Sequence, residues 1–107
     1  EYEWGVHVAY FAKAAKLTPE QVRATRLGSP DEDIWNEKDQ TLIRFIDELC
    51  ATGAPTSETL KHIQTDWTKE QQLEILALCG TYTTISMVAN TAGLPPEPFA
   101  ARFPIEI

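Results

Sequence analysis

Thr68-Lys69-Glu70-Gln71-Gln72-Leu73-Glu74-Ile75-Leu76-Ala77-Leu78-Cys79 decides the fold class of this 107-residue chain. Thr68 offers a side-chain oxygen to the amide three residues on, and Gln71 can reach back to the Thr68 amide, so a helix opens here. Apolar residues then continue through Tyr82, Ile85, Met87 and Val88 to Ala89. They run nearly all the way round the helix, the pattern of a segment covered on most sides, in a domain centre or a subunit interface. The polar residues after Gly80 are small (Thr81, Thr83, Thr84, Ser86), and hydroxyls can bond back to helix carbonyls. Tyr82 and Asn90 are larger and need partners if buried. Gly93 is placed to cap the helix, and Leu94-Pro95-Pro96-Glu97-Pro98 reads as a stiff extended exit. Phe99, Phe103 and Ile105 are candidates to pin the tail back onto the helices.

The same periodicity recurs upstream. Thr18-Pro19-Glu20-Gln21 is a capping box with proline at the first helical position, opening a short helix that carries Val22 and Leu27 and ends at Gly28 as a C′ residue. Asn36 caps a third helix whose apolar stripe is Leu42, Ile43, Phe45, Ile46, Leu49 and Cys50, and Gly53 ends it. Thr56 or Ser57 opens a fourth, with Leu60, Ile63 and Trp67 inward. The first helix is expected from about Glu3 to Lys16. Period-two alternation is absent, so the expected fold is all-α: about five helices forming one domain over residues 1–107.

Composition bounds the function. Hydrophobic residues make up 43% of the chain, which places it among globular proteins. The formal net charge is −7, and no basic patch forms, which argues against nucleic acid and anionic membrane. No apolar run looks long enough to span a bilayer. Cys50 and Cys79 fall in apolar helical patterns and read as buried free thiols of a reducing, cytoplasmic setting. The acidic loop Ser29-Pro30-Asp31-Glu32-Asp33 reads as solvated rather than as a metal site. No Gly-rich phosphate loop, Cys-x-x-Cys, His-Glu-x-x-His or Gly-x-Ser-x-Gly is present. The expectation is a protein without metal or organic cofactor.

The chemistry-bearing stretch is Glu3-Trp4-Gly5-Val6-His7, running on to Tyr10. At roughly 100° per residue, Glu3, His7 and Tyr10 share a helix face beside the stripe of Trp4, Val8 and Phe11. A carboxylate one turn from an imidazole can accept a proton from one ring nitrogen and fix the tautomer. The other nitrogen is then available as acid or base. The same spacing also makes an ordinary surface ion pair. His62 lacks such a setting and reads as a surface or rim histidine.

These pieces resemble, in order and spacing, the carboxymuconolactone decarboxylase family of the alkyl hydroperoxidase D-like superfamily. The resemblance rests on Glu-Trp-x-x-His (Glu3, Trp4, His7), on the helix opened by Thr18-Pro19-Glu20-Gln21 and closed by Leu27-Gly28, and on the closing segment with Tyr82, Asn90 and Gly93-Leu94-Pro95-Pro96-Glu97. It implies an all-helical fold, assembly into trimers or hexamers, and a site built largely on the first helix. The peroxidase branch carries Cys-x-x-Cys-x-x-x-His. Here Glu3 stands at the second cysteine and His7 matches the histidine, so the disulfide cycle is lost. The decarboxylase branch works by proton transfer and loss of carbon dioxide without a cofactor.

The implied function is therefore a lyase or isomerase acting on a small cyclic lactone or carbonyl compound. His7 would shuttle the proton and Glu3 would orient it. Tyr10 or Tyr82 would donate to a developing enolate, and Trp4 would wall the pocket. A cation for an anionic substrate is not obvious; Arg23, Arg26 and Arg44 are the candidates. The family has further helices ahead of the motif, and this chain opens in mid-helix. The expectation is thus a domain truncated at its N-terminus, completed by a homo-oligomer or a complementary N-terminal fragment. The alternatives are a non-catalytic helical oligomer and a thiol-dependent alkyl hydroperoxidase.

Overall fold

A computed structural model describes residues 1–104. Ile105, expected to help pin the tail, lies outside the described residues. Within them the fold is all-α: α1 (Tyr2–Phe11), α2 (Pro19–Leu27), α3 (Glu37–Thr52), α4 (Ser57–Asp66) and α5 (Lys69–Ala92), with no strand. Two compact units form. The first comprises residues 1–29 with the described residues from 82 onward; the second comprises residues 30–81.

In the first unit, α1 is shorter than its periodicity suggests. Regular helix stops at Phe11, and hydrogen-bonded turns carry the chain to Lys16. There the Lys16 amide bonds the Lys13 carbonyl (3.0 Å) and the Leu17 amide bonds the Ala12 carbonyl (3.0 Å). This is a Schellman closure with a lysine at φ 59°, where glycine is the usual occupant. The α2 capping box forms as expected, with Thr18 and Gln21 bonding each other's amides at 3.1 and 2.9 Å. Gly28 differs: it is extended (φ −92°), so the helix runs out without a left-handed cap.

The C-terminal segment of this unit lies along α1. The Ala101 amide bonds the Gly5 carbonyl at 3.0 Å. Gly5 is the buried residue of α1, and a Cβ there would overlap the Ala101 carbonyl oxygen and lie 3.3 Å from Ala100 Cβ. A glycine inside a helix costs about 1 kcal/mol relative to alanine, and here its bare face admits another stretch of backbone. Around this contact, the Tyr2 hydroxyl donates to Glu97 (3.0 Å), Arg102 forks onto Glu1 (3.1 and 3.3 Å), and the Phe103 amide donates to Glu1 (2.8 Å). Phe99 packs edge-on to Tyr10, and Phe103 edge-on to Trp4. The expected pinning by Phe99 and Phe103 is therefore present. Three donors hold the Glu1 carboxyl below its ordinary range, Arg102 contributing most, and the bond to Glu97 holds the Tyr2 phenol above its own.

The second unit is centred on Trp35, Phe45 and Ile63, the last wholly buried. Asn36 caps α3 through the Asp39 amide (2.8 Å), and Gly53 ends it at φ 83°. The buried line of α3 is Thr41–Phe45, and that of α4 is Thr59–Ile63. Cys50 falls about half a turn from the first line and Leu60 about 100° from the second, so both are exposed rather than inward as expected. Glu48 ties the two helices. Its carboxylate accepts from the Thr56 amide and the Thr59 hydroxyl, each at 2.7 Å, which supplies an acceptor to the first turn of α4. Arg44 pairs with Asp31 in the acidic loop.

Helix α5 overturns the expectation that no segment is long and apolar enough to span a bilayer, and of the two places expected for it, a domain centre or a subunit interface, it rules out the first. Only Ala89 is buried along its 24 residues. Leu73 and Val88 are each 61% exposed and Met87 63%. A helix apolar on every side cannot be covered by neighbours on one side. It is also long and apolar enough, by length and composition alone, to cross a membrane. Its apolar residues are interleaved with Thr and Ser, which is why no continuous run stands out in the sequence.

Two predictions follow from these contacts. Gly5→Ala forces Cβ into the Ala101 carbonyl and destabilises the protein by roughly 3 kcal/mol, read as a lowered midpoint in chemical denaturation. Unchanged stability would show that the backbone contact is not made. The second concerns acid. Hydrogen bonds from Thr56 and Thr59 hold the folded Glu48 carboxyl below its ordinary value of 4.5. Its contribution is present above that value and is lost as pH falls through the folded value. Asp47, whose carboxyl is raised by burial and by Glu48, acts in the opposite sense. Glu48→Gln is therefore less stable at neutral pH and loses less stability on acidification, measured by denaturation at pH 7 and pH 3.

Candidate functional site

His7 sits on α1 with both ring nitrogens engaged. Nδ1 lies 2.8 Å from the main-chain carbonyl oxygen of Glu3. A carbonyl only accepts, so Nδ1 carries the proton. In the neutral ring Nε2 is then an acceptor, and the Tyr82 hydroxyl, 3.2 Å away, donates to it. The two rings are perpendicular, with centroids 4.9 Å apart. The Glu3 carboxylate lies 3.6 Å from Nδ1, in range for an ion pair with the imidazolium. The tautomer is thus fixed by the Glu3 backbone rather than by its carboxylate. An i, i+4 helix turn brings that carbonyl near the ring whatever side chain the residue bears.

Glu3, Trp4, His7 and Tyr82 line an open depression of about 200 Å³. Trp4 is held from behind: its indole N–H donates to Thr25 Oγ1 (2.9 Å), and Thr25 in turn donates to the Val22 carbonyl (2.6 Å). Four of the five sequence candidates therefore meet. The fifth, Tyr10, packs on Phe99 and Phe11 and does not line the depression. Three helix positions beyond His7, it turns with the helix toward the C-terminal segment.

Among the described residues no Arg or Lys lines the depression. Of the cationic candidates, Arg26 lies over the Phe103 ring at 4.6 Å and Arg44 belongs to the second unit. The walls favour an uncharged, partly apolar guest. A second, polar cleft of about 360 Å³ separates α3 from α4 in the other unit, with His62 on its exposed rim beside Arg44 and Asp66. No group of three His, Cys, Asp or Glu side chains gathers to hold a metal among the described residues.

The cysteines depart from their expected burial. Cys50 is exposed and Cys79 half-buried. Burial first, then the proximity of Cys50, pushes the Cys79 thiol up, away from the thiolate that peroxide chemistry requires.

Sequence reasoning missed Gly5 and Thr25. A glycine inside a helical pattern is itself a signal of close packing. Thr25 gave no comparable signal, because its role depends on the approach of α1. Compared with known proteins, the chain matches no family model, no curated protein and no solved structure.

The assigned tautomer is directly observable. Side-chain 15N shifts are expected to show His7 protonated at Nδ1 in the neutral ring; protonation at Nε2 would contradict both hydrogen bonds.

Proposed function

We propose that the chain is a cofactor-free lyase or isomerase of the carboxymuconolactone decarboxylase type, acting on a small cyclic lactone or carbonyl compound. The observation that carries this reading is the ordered array Glu3–His7–Tyr82 beside a depression walled by Trp4. Tyr82 is the group best placed to exchange a proton with the guest. As its oxygen takes a proton from a carbon next to the carbonyl, its own proton passes to His7 Nε2, and the imidazolium formed is offset by the Glu3 carboxylate. The reverse transfer returns a proton to product. An uncharged lactone suits the lining better than a dianionic one, which would need a cation in the pocket; with no carboxylate to lose, such a substrate would be isomerised rather than decarboxylated.

The test is turnover of a panel of small lactones and cyclic ketones. His7→Ala is expected to lower the rate ~10²–10⁴-fold, the usual cost of one acid–base group. Unchanged turnover in that variant sinks the acid–base reading.

A second reading, a non-catalytic helical oligomer, is favoured by the uncovered apolar surface of α5. Copies of the chain would bury that surface against one another, as trimers or hexamers. Sedimentation at micromolar concentration reads this out, and the mass of a single copy would exclude it.

A further inference from the structure

The contact between His7 and Tyr82 joins α1 to α5, yet the backbones of these helices approach each other at few points. The extensive tie is the segment that follows α5. Gly93, at φ 65°, turns the chain: its amide bonds the Asn90 carbonyl (3.2 Å), and the Leu94 amide bonds the Ala89 carbonyl (3.1 Å). The proline-rich exit then delivers Glu97–Phe103 onto α1 at Tyr2, Gly5 and Trp4. The result is a closed ring: α1, the His7–Tyr82 bond, α5, the exit, and the Ala101–Gly5 bond back to α1. Trp4 belongs both to this ring and to the depression, and it is gripped by Thr25 on one atom and by the Phe103 ring at a centroid distance of 5.4 Å. The Arg26 guanidinium over the same Phe103 ring fixes it in turn.

We propose that the strap Glu97–Phe103 sets the His7–Tyr82 contact, and that Phe103 is a positioning residue acting through Trp4. The strap lays down the spacing of α1 against the Tyr82 turn of α5, while direct packing of the two helices contributes little. The ring contacts of Phe103 are with Trp4 and Arg26; it holds the wall between the site and the strap. The inference bears on the same site as the proposed function, but its test uses no substrate.

Side-chain NMR of the two histidines in the full chain provides the readout, with His62 as internal reference. Tyr82→Phe gives the spectrum of a His7 ring without its hydroxyl donor. Phe103→Ala is expected to move the His7 Nε2 resonance more than halfway toward that spectrum while His62 stays fixed. Phe103→Leu, which keeps apolar bulk beside Trp4, is expected to restore most of the shift. Arg102→Ala removes only the exposed pair with Glu1 and is expected to give a smaller shift in the same direction; it decides the matter if Phe103→Ala does not fold. A His7 spectrum identical to wild type in the folded variants overturns the proposal. Absence of lactone turnover overturns the proposed function and leaves these shifts standing.

Discussion

One backbone hydrogen bond, from the Ala101 amide to the Gly5 carbonyl, organises the unit that holds the candidate site. It forms only because position 5 has no side chain. Helix interiors ordinarily exclude glycine for its entropy cost, and this one is kept where a second chain segment must lie against the helix. Once that contact is made, its neighbours follow. Tyr2 meets Glu97 on one side, Glu1 meets Arg102 and the Phe103 amide on the other, and Phe103 reaches Trp4. The Glu1 contacts are exposed and weak in isolation, and the Tyr2–Glu97 bond is half-buried. Their shared geometry, fixed by a buried backbone contact, makes them act together.

The site shows how much of a histidine's chemistry comes from the main chain. The Glu3 carboxylate is the residue a motif search finds, but the Glu3 carbonyl holds the Nδ1 proton. The carboxylate stands 3.6 Å from the same nitrogen, in range of an imidazolium. Tyr82, arriving from a helix 75 positions away, turns a surface pair into a three-member array.

The helices were legible because caps and periodicity are local. Thr18 and Gln21, Asn36, Gly53, Thr68 and Gly93 all act within a few residues, and the structure bears them out. Burial was less legible. The α3 stripe reads as centred near Leu42 and Ile46, yet the buried line runs through Thr41 and Phe45. A threonine satisfied by its own helix carbonyl can lie in a core, and hydropathy alone does not reveal this. Glu3, Trp4 and His7 were legible as a group because one helix presents them. The choice between Tyr10 and Tyr82 was not, since it depends on how α5 meets α1. For α5 itself, the all-round apolar pattern is legible, but it does not say that neighbours within the chain leave most of that surface open.

The ring that runs from His7 through Tyr82, α5, the exit and Ala101 back to Gly5 has a consequence for how this chain can vary in length. Between Tyr82 and Gly93 the path is helical, so one added residue advances the helix by about 1.5 Å and rotates everything beyond it by about 100°. Tyr82 and Ala101 could not then both reach their places on α1. Insertions and deletions of one residue are therefore forbidden along this stretch. The acidic loop at 29–33 lies outside the ring and is free to lengthen, since extending a surface loop costs little. The ring works as a ruler: chain length, as much as side-chain identity, is part of what specifies the site.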